Sequence, residues 1–202
     1  MALLPLATPL LSTALASRGG DTETSQRIAE LEKKQDWSAL KQLAQQQIAG
    51  HREDTDWWVV LGYAQARLGE YARASETFAQ VVKRNPEEID GWNMLAEAQR
   101  LDGRYADAMQ TLERATTIDP TSPITRYLLG EALRSDGRVE RAKMAYREAL
   151  RLEPRFAAAW FGLGTVLVST GPQDELNGVL EQLEVLDSAL AQRLARLQAR
   201  NR

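Results

Sequence analysis

Apolar residues recur along the chain at three- and four-residue spacings, and the blocks they form return at a fixed interval. Trp58 and Leu61 are followed by Trp92 and Leu95, then by Trp160 and Leu163, always displaced by multiples of 34 residues. Such spacing marks one face of a helix. A glycine ends each block, at Gly69, Gly103, Gly137 and Gly171. Glycine just past a helix end accepts the left-handed backbone that a β-carbon penalises. A second block begins at once and is closed by Pro86, Pro120 and Pro154, residues that cannot continue a helix. The pattern predicts helix pairs in units at 21–54, 55–88, 89–122, 123–156 and 157–190.

Two positions per unit are kept small: Gly62, Ala96, Gly130 and Gly164 in the first helix, and Ala74, Ala108 and Ala142 in the second. Small side chains there let two helices approach closely, and a larger one would overpack the contact. A large side chain follows at Phe78, Leu112, Tyr146 and Leu180. One hairpin cannot bury its own apolar face, so stacked copies are expected to do so. The end units depart from the pattern. In the first, Gln35 stands for the glycine and Leu40 for the small alanine, and no proline closes it. In the fifth, Leu176 replaces the alanine and Pro172 follows Gly171, which predicts an irregular second helix. Over 188–202, Leu190, Leu194 and Leu197 share one face with arginines outside it, the expectation for a capping helix.

The run from Trp58 to Gly62, "GEYARA" at Gly69–Ala74, Phe78 and Pro86 together resemble the tetratricopeptide repeat, and the period agrees. The resemblance covers about 21–190. It implies an all-α, right-handed solenoid of tandem helix-turn-helix repeats with a C-terminal cap. It also implies a concave groove lined by the first helices. In this chain that lining would be Val59, Tyr63 and Arg67, then Asn93, Glu97 and Arg100, then Tyr127, Glu131 and Arg134, and finally Phe161, Thr165 and Val168. Most of these sets repeat at i, i+4, i+7, one stripe of a helix. Tyr63, Tyr127 and Phe161 are expected to be exposed beside the arginines, the mixture that anchors interfaces. Glu97–Arg100 and Glu131–Arg134 also read as i, i+3 ion pairs. Family members that bind chaperone tails hold a carboxylate with lysines and asparagines. Here only Asn93 matches, no lysine is present, and Glu97 and Glu131 would repel a carboxylate.

Composition narrows the chemistry. There is no cysteine and one histidine, His51, so thiolate sites, disulfides and multi-histidine metal sites are excluded. His51 falls where the second helix of the first unit should end, with the helix dipole or solvent as its company. Glu53, Asp54 and Asp56 read as a solvated connector that caps the next helix. No glycine-rich phosphate loop occurs, and "GLGT" at 162–165 lies within a first helix, where it reads as packing. A net charge of −3 offers no field for a phosphate backbone. The expected function is therefore a non-enzymatic scaffold for a protein partner, with no cofactor, metal, nucleic acid, small-molecule substrate or membrane span. The alternative is a constitutive subunit of a larger complex. Residues 1–20 form an apolar leader ending in Ala14-Leu15-Ala16. It resembles a secretory signal peptide without the preceding basic residues, which points to a bacterial periplasm or envelope. A leader without that role, in a cytoplasmic protein, is the alternative.

Overall fold

The computed structural model describes residues 22–50 and 53–201, which form eleven α-helices and no strand. The leader and His51 lie outside the described residues. In chain order the pairs are α1 (Thr22–Lys34) with α2 (Trp37–Gly50), and α3 (Thr55–Arg67) with α4 (Tyr71–Arg84). Next come α5 (Ile89–Leu101) with α6 (Tyr105–Ile118), and α7 (Pro123–Ser135) with α8 (Val139–Leu152). Last are α9 (Ala157–Thr170) with α10 (Gln173–Leu186), and the single α11 (Ser188–Arg200). From α3 onward, first helices start at Thr55, Ile89, Pro123 and Ala157, and second helices at Tyr71, Tyr105, Val139 and Gln173. The repeat therefore holds helix for helix.

The turn inside each pair explains this regularity. Gly69, Gly103 and Gly137 have φ of 78°, 82° and 76°, and the residue after each donates back across the turn, as Arg104 N does to Gln99 O at 2.8 Å. Those bonds satisfy carbonyls that a helix end leaves bare. The degenerate first pair keeps the motif without glycine: Gln35 takes φ 54°, and Asp36 N reaches Leu31 O at 3.0 Å. The fifth pair turns differently. Gly171 is extended at φ −100°, and the expected irregular helix is instead a regular 14-residue α10. Pro172 sits at its N-cap with φ −62°, where no helical hydrogen bond is lost to proline. Leu176 packs in the interior there at 3% exposure. Asp54 caps α3 as expected, accepting from Asp56 N at 3.0 Å.

The chain divides into two compact units, residues 1–98 and 99–202, with the division falling inside α5. In the first, Ile28, Leu40, Ala44, Val60 and Ala64 join in one buried cluster, and Ala74, Phe78, Val81 and Leu95 in another. Gly62 faces the Phe78 ring, which lies 2.6 Å from where a β-carbon would stand. In the second, α7 packs on α8, α8 on α9, and α11 on both α9 and α10. Leu194 of α11 fills the space that Gly164 leaves open, so α11 is the expected cap. Trp92 and Trp160 donate their indole N–H to Pro86 O and Pro154 O, each at 2.8 Å, pinning a first helix to the loop before it. Two pairs carry a polar rung, the buried Thr77 Oγ1 to Gln65 Oε1 at 2.7 Å and the partly buried Thr111 Oγ1 to Gln99 Oε1 at 2.8 Å. One and two steps on, the rung is apolar: Leu133 with Ala145, then Leu167 with Val179.

Candidate functional site

The first-helix stripe is where the sequence places binding residues, and within the second unit it is built around a buried carboxylate. Tyr146 is fully buried and its ring lies between α7 and α9. Glycine on each helix makes the room: a β-carbon at Gly130 or at Gly162 would stand 2.6 Å from the ring. The hydroxyl at the end of that ring donates to Glu131 Oε1. Glu131 Oε2 accepts from Arg134 Nη2 at 2.8 Å, and Arg100, which donates to Ser135 Oγ at 3.3 Å, adds its charge. Burial pushes the Glu131 carboxyl upward, but the Arg134 bond and charge, the Tyr146 hydroxyl and Arg100 together hold it below the ordinary range. The same burial, with the carboxylate beside it, raises the Tyr146 hydroxyl well above its usual value. Glu131 is thus a satisfied anion. Both oxygens accept hydrogen bonds and its affinity for a proton is lowered, which makes it a poor general base.

Several expectations about this stripe are corrected. Tyr127 and Phe161 are 3% and 8% exposed, so neither is an open aromatic anchor. Tyr127 lies against the rings of Tyr146 and Phe156, with centroids at 6.1 and 5.2 Å. Phe161 lies beneath Arg193 of α11, whose guanidinium is 4.9 Å from the ring centroid. Asn93, Arg100 and Glu131 are buried as well. Arg134 stays exposed. Thr165 is half-buried and turns its hydroxyl back to Gly162 O at 2.7 Å, and the carbonyl of half-buried Val168 accepts from Asn201 Nδ2 at 3.1 Å. Helical periodicity relates residues along one side of a single helix. It could not show that a loop residue, Phe156, and a cap residue, Arg193, cover that face.

In the first unit the stripe is more open. Tyr63 is half-buried and meets Trp37 edge to face at 5.8 Å. Arg67 is exposed, lies 4.2 Å above the Trp37 ring and donates to Tyr63 Oη at 3.2 Å. Val59 packs against both buried clusters, and Glu97 is half-buried. Sequence reasoning missed Trp37 as a partner of Tyr63 and Arg67. It lies at the first position of α2, the second-helix position of Tyr71 and Tyr105, whereas Tyr63 and Arg67 belong to a first helix. Among the described residues no group of three or more His, Asp or Glu is placed to hold a metal ion. No helix there is long and apolar enough to cross a membrane.

Comparison with known proteins agrees with this architecture. A search of curated proteins gives no match. A thermophilic TPR protein of Thermus thermophilus is 21% identical with a TM-score of 0.69, covering 84% of this chain and 94% of its own. MamA of Desulfovibrio magneticus is 22% identical with a TM-score of 0.58, covering 92% of each chain. YrrB, described as a TPR protein with an unusual peptide-binding site, is 15% identical with a TM-score of 0.60, covering 92% of this chain and 97% of its own. At these identities the likeness shows the fold. The family description "Tetratricopeptide repeat" matches residues 59–123 and 127–175, more than half of the chain. With its helix pairs repeating in step and its all-α tandem-repeat solenoid fold, the chain belongs to the tetratricopeptide repeat family.

Proposed function

We propose that this chain is a non-catalytic scaffold that holds a segment of a partner protein along the stripe of its first helices. One observation carries the reading: arginines on the stripe, and one from the cap helix over it, are already locked in place. Arg67 is held over Trp37 and by Tyr63, Arg134 by Glu131, and Arg193 over Phe161. A guanidinium fixed before the partner arrives loses less side-chain freedom on binding, and its planar fork suits carboxylate and carbonyl acceptors. Tetratricopeptide arrays are in general protein-interaction modules, and the peptide-binding site described for YrrB is a precedent within the fold. The one deeply buried carboxylate of the stripe is neutralised by Arg134 and hydrogen-bonded by Tyr146, which argues against acid–base chemistry there. The apolar leader supports a place in the bacterial envelope, where mature protein would begin near Ser17.

The test is affinity capture by the full chain from its native host, with mass spectrometry of what is retained. Arg67→Glu and Arg193→Glu, both at exposed positions, should together weaken capture roughly tenfold or more and leave helicity intact. Undiminished capture by that double variant would place the partner elsewhere. Aggregation of the purified chain without a partner would favour the constitutive-subunit reading instead. N-terminal sequencing of protein from the host checks the leader, and a chain starting at Met1 would end the export proposal.

A further inference from the structure

The second unit has a groove on the side of its second helices, away from the stripe already described. Its volume is about 570 Å³, and it lies between α8 and α10 with α9 beneath. Leu150, Leu163 and Val179, all nearly buried, form an apolar floor with the half-buried Trp160. Trp160 is held rigid by its bond to Pro154 O. An ion pair between Arg147 and Glu175 joins α8 to α10 at the rim, and Gln182 lines the groove two turns further along α10.

The residue that opens this groove is Gly178. It lies inside α10 and is exposed, and a β-carbon added to it would meet nothing within 4 Å. Nothing in the fold calls for glycine there, and an exposed glycine weakens a helix interior relative to alanine. At the equivalent places earlier in the repeat stand Glu76, Gln110 and Met144. The two most exposed large apolar side chains among the described residues extend the same line. Met144, at 66% exposure, is one turn before Arg147 on α8, and Val185, at 82%, is one turn after Gln182 on α10. The walls differ in charge: α10 carries Asp174, Glu175, Glu181 and Glu184 and no basic residue. On α8, Arg141 has no carboxylate partner among the described residues.

We infer that this groove receives an amphipathic helix of a partner protein, with a bulky apolar side chain seated over Gly178 against Trp160 and Val179. From Glu175 to Val185 the α10 wall spans about 15 Å, the reach of anchors at i, i+3, i+7 and i+10 on a docked helix. The flank of that helix along α10 carries lysine or arginine opposite the acidic wall, and the flank along α8 carries acids. This goes beyond the first-helix reading and does not depend on it.

The probe is a synthetic amphipathic peptide of about four turns, with leucine or tryptophan anchors, a basic flank and an acidic flank. Binding to the full chain is read by fluorescence anisotropy and by the indole N–H resonance of Trp160, assigned through Trp160→Phe. The expected result is a Trp160 shift with wild type and with Gly178→Ala. Gly178→Leu should fill the groove, weaken binding roughly tenfold or more, and melt no lower than wild type. Arg67→Glu with Arg193→Glu should leave this binding unchanged. The inference is overturned if the peptide fails to bind at millimolar concentration, if Gly178→Leu binds it as well as wild type, or if a peptide with its flanks exchanged binds equally. It is also overturned if the chain dimerises in light scattering, Gly178→Leu restores the monomer and no peptide binds, since the occupant is then a second copy.

Discussion

Tyr146→Phe removes one oxygen from the interior and leaves the ring in its slot between Gly130 and Gly162. Its partner Glu131 is 7% exposed, so water cannot replace the lost hydroxyl. Glu131 Oε1 is left with Arg134 Nε at a long 3.4 Å, while Oε2 keeps its 2.8 Å bond. A hydrogen bond to a buried charged group contributes about 1.5–3 kcal/mol, and the surviving Arg134 bond places this loss near the lower end, about 1.5–2 kcal/mol. In a chain of this size that lowers Tm by about 3–8 °C. The pH dependence gives the sharper check. A carboxyl held low in the folded state stabilises fully above its ordinary value of 4.5, and that contribution is lost as pH falls through the folded value. The Tyr146→Phe penalty should therefore be largest at neutral pH and shrink as Glu131 is protonated. On the alkaline side the sign reverses. The Tyr146 hydroxyl is held above its ordinary value of 10.0, so its contribution is present below that pH and fades as pH rises beyond it, a loss absent from the Phe variant. Urea unfolding followed by circular dichroism at about pH 3.5, 7 and 11 measures all three arms. An equal penalty at the two lower pH values, or no penalty at neutral pH, would refute the buried-network account.

Gln35→Gly should stabilise the first pair by about 0.5–1 kcal/mol, because it relieves a left-handed residue at the cost of a freer unfolded chain; slower hydrogen exchange in α1 and α2 is the readout. Ala108→Leu, at a position with no exposure, should cost about 1–3 kcal/mol by overpacking, visible as a lower urea midpoint. Tyr127→Ala should cost about 3 kcal/mol or more, and an unchanged melting temperature would mean that its packing on Tyr146 and Phe156 contributes nothing.

Much of the fold was legible because its punctuation acts locally. Gly69, Gly103 and Gly137 set the turns through their own φ, and Pro86, Pro120 and Pro154 end helices by geometry that no distant contact alters. The exceptions also have local causes. Pro172 looked disruptive by position, yet a proline ahead of the first helical hydrogen bond disturbs nothing. The candidate stripe was half legible. Periodicity relates residues along one side of a helix, but whether that side is open depends on what crosses it, and Phe156 comes from a loop and Arg193 from the cap helix. A trace of the buried tyrosine was visible all the same. Gly162 stands where Val60, Met94 and Leu128 stand in earlier units, a lone glycine at an otherwise large position. It is there because the Tyr146 ring needs the space.

The hydrogen-bonded rungs between Gln65 and Thr77 and between Gln99 and Thr111 give the hairpins an order of opening. An amide and a hydroxyl that bond to each other on leaving water contribute little net free energy, since both were hydrogen-bonded to water beforehand. The apolar rungs of the next two hairpins gain from leaving water. Neighbouring hairpins in a repeat array open in order of their local stability, so the two hairpins with polar rungs should open before their apolar neighbours, among them α1 with α2, where Leu31 and Leu43 take the same places. The hairpin that presents Arg67 is then one of those that breathe, and a bound segment acts there as a splint, slowing its opening.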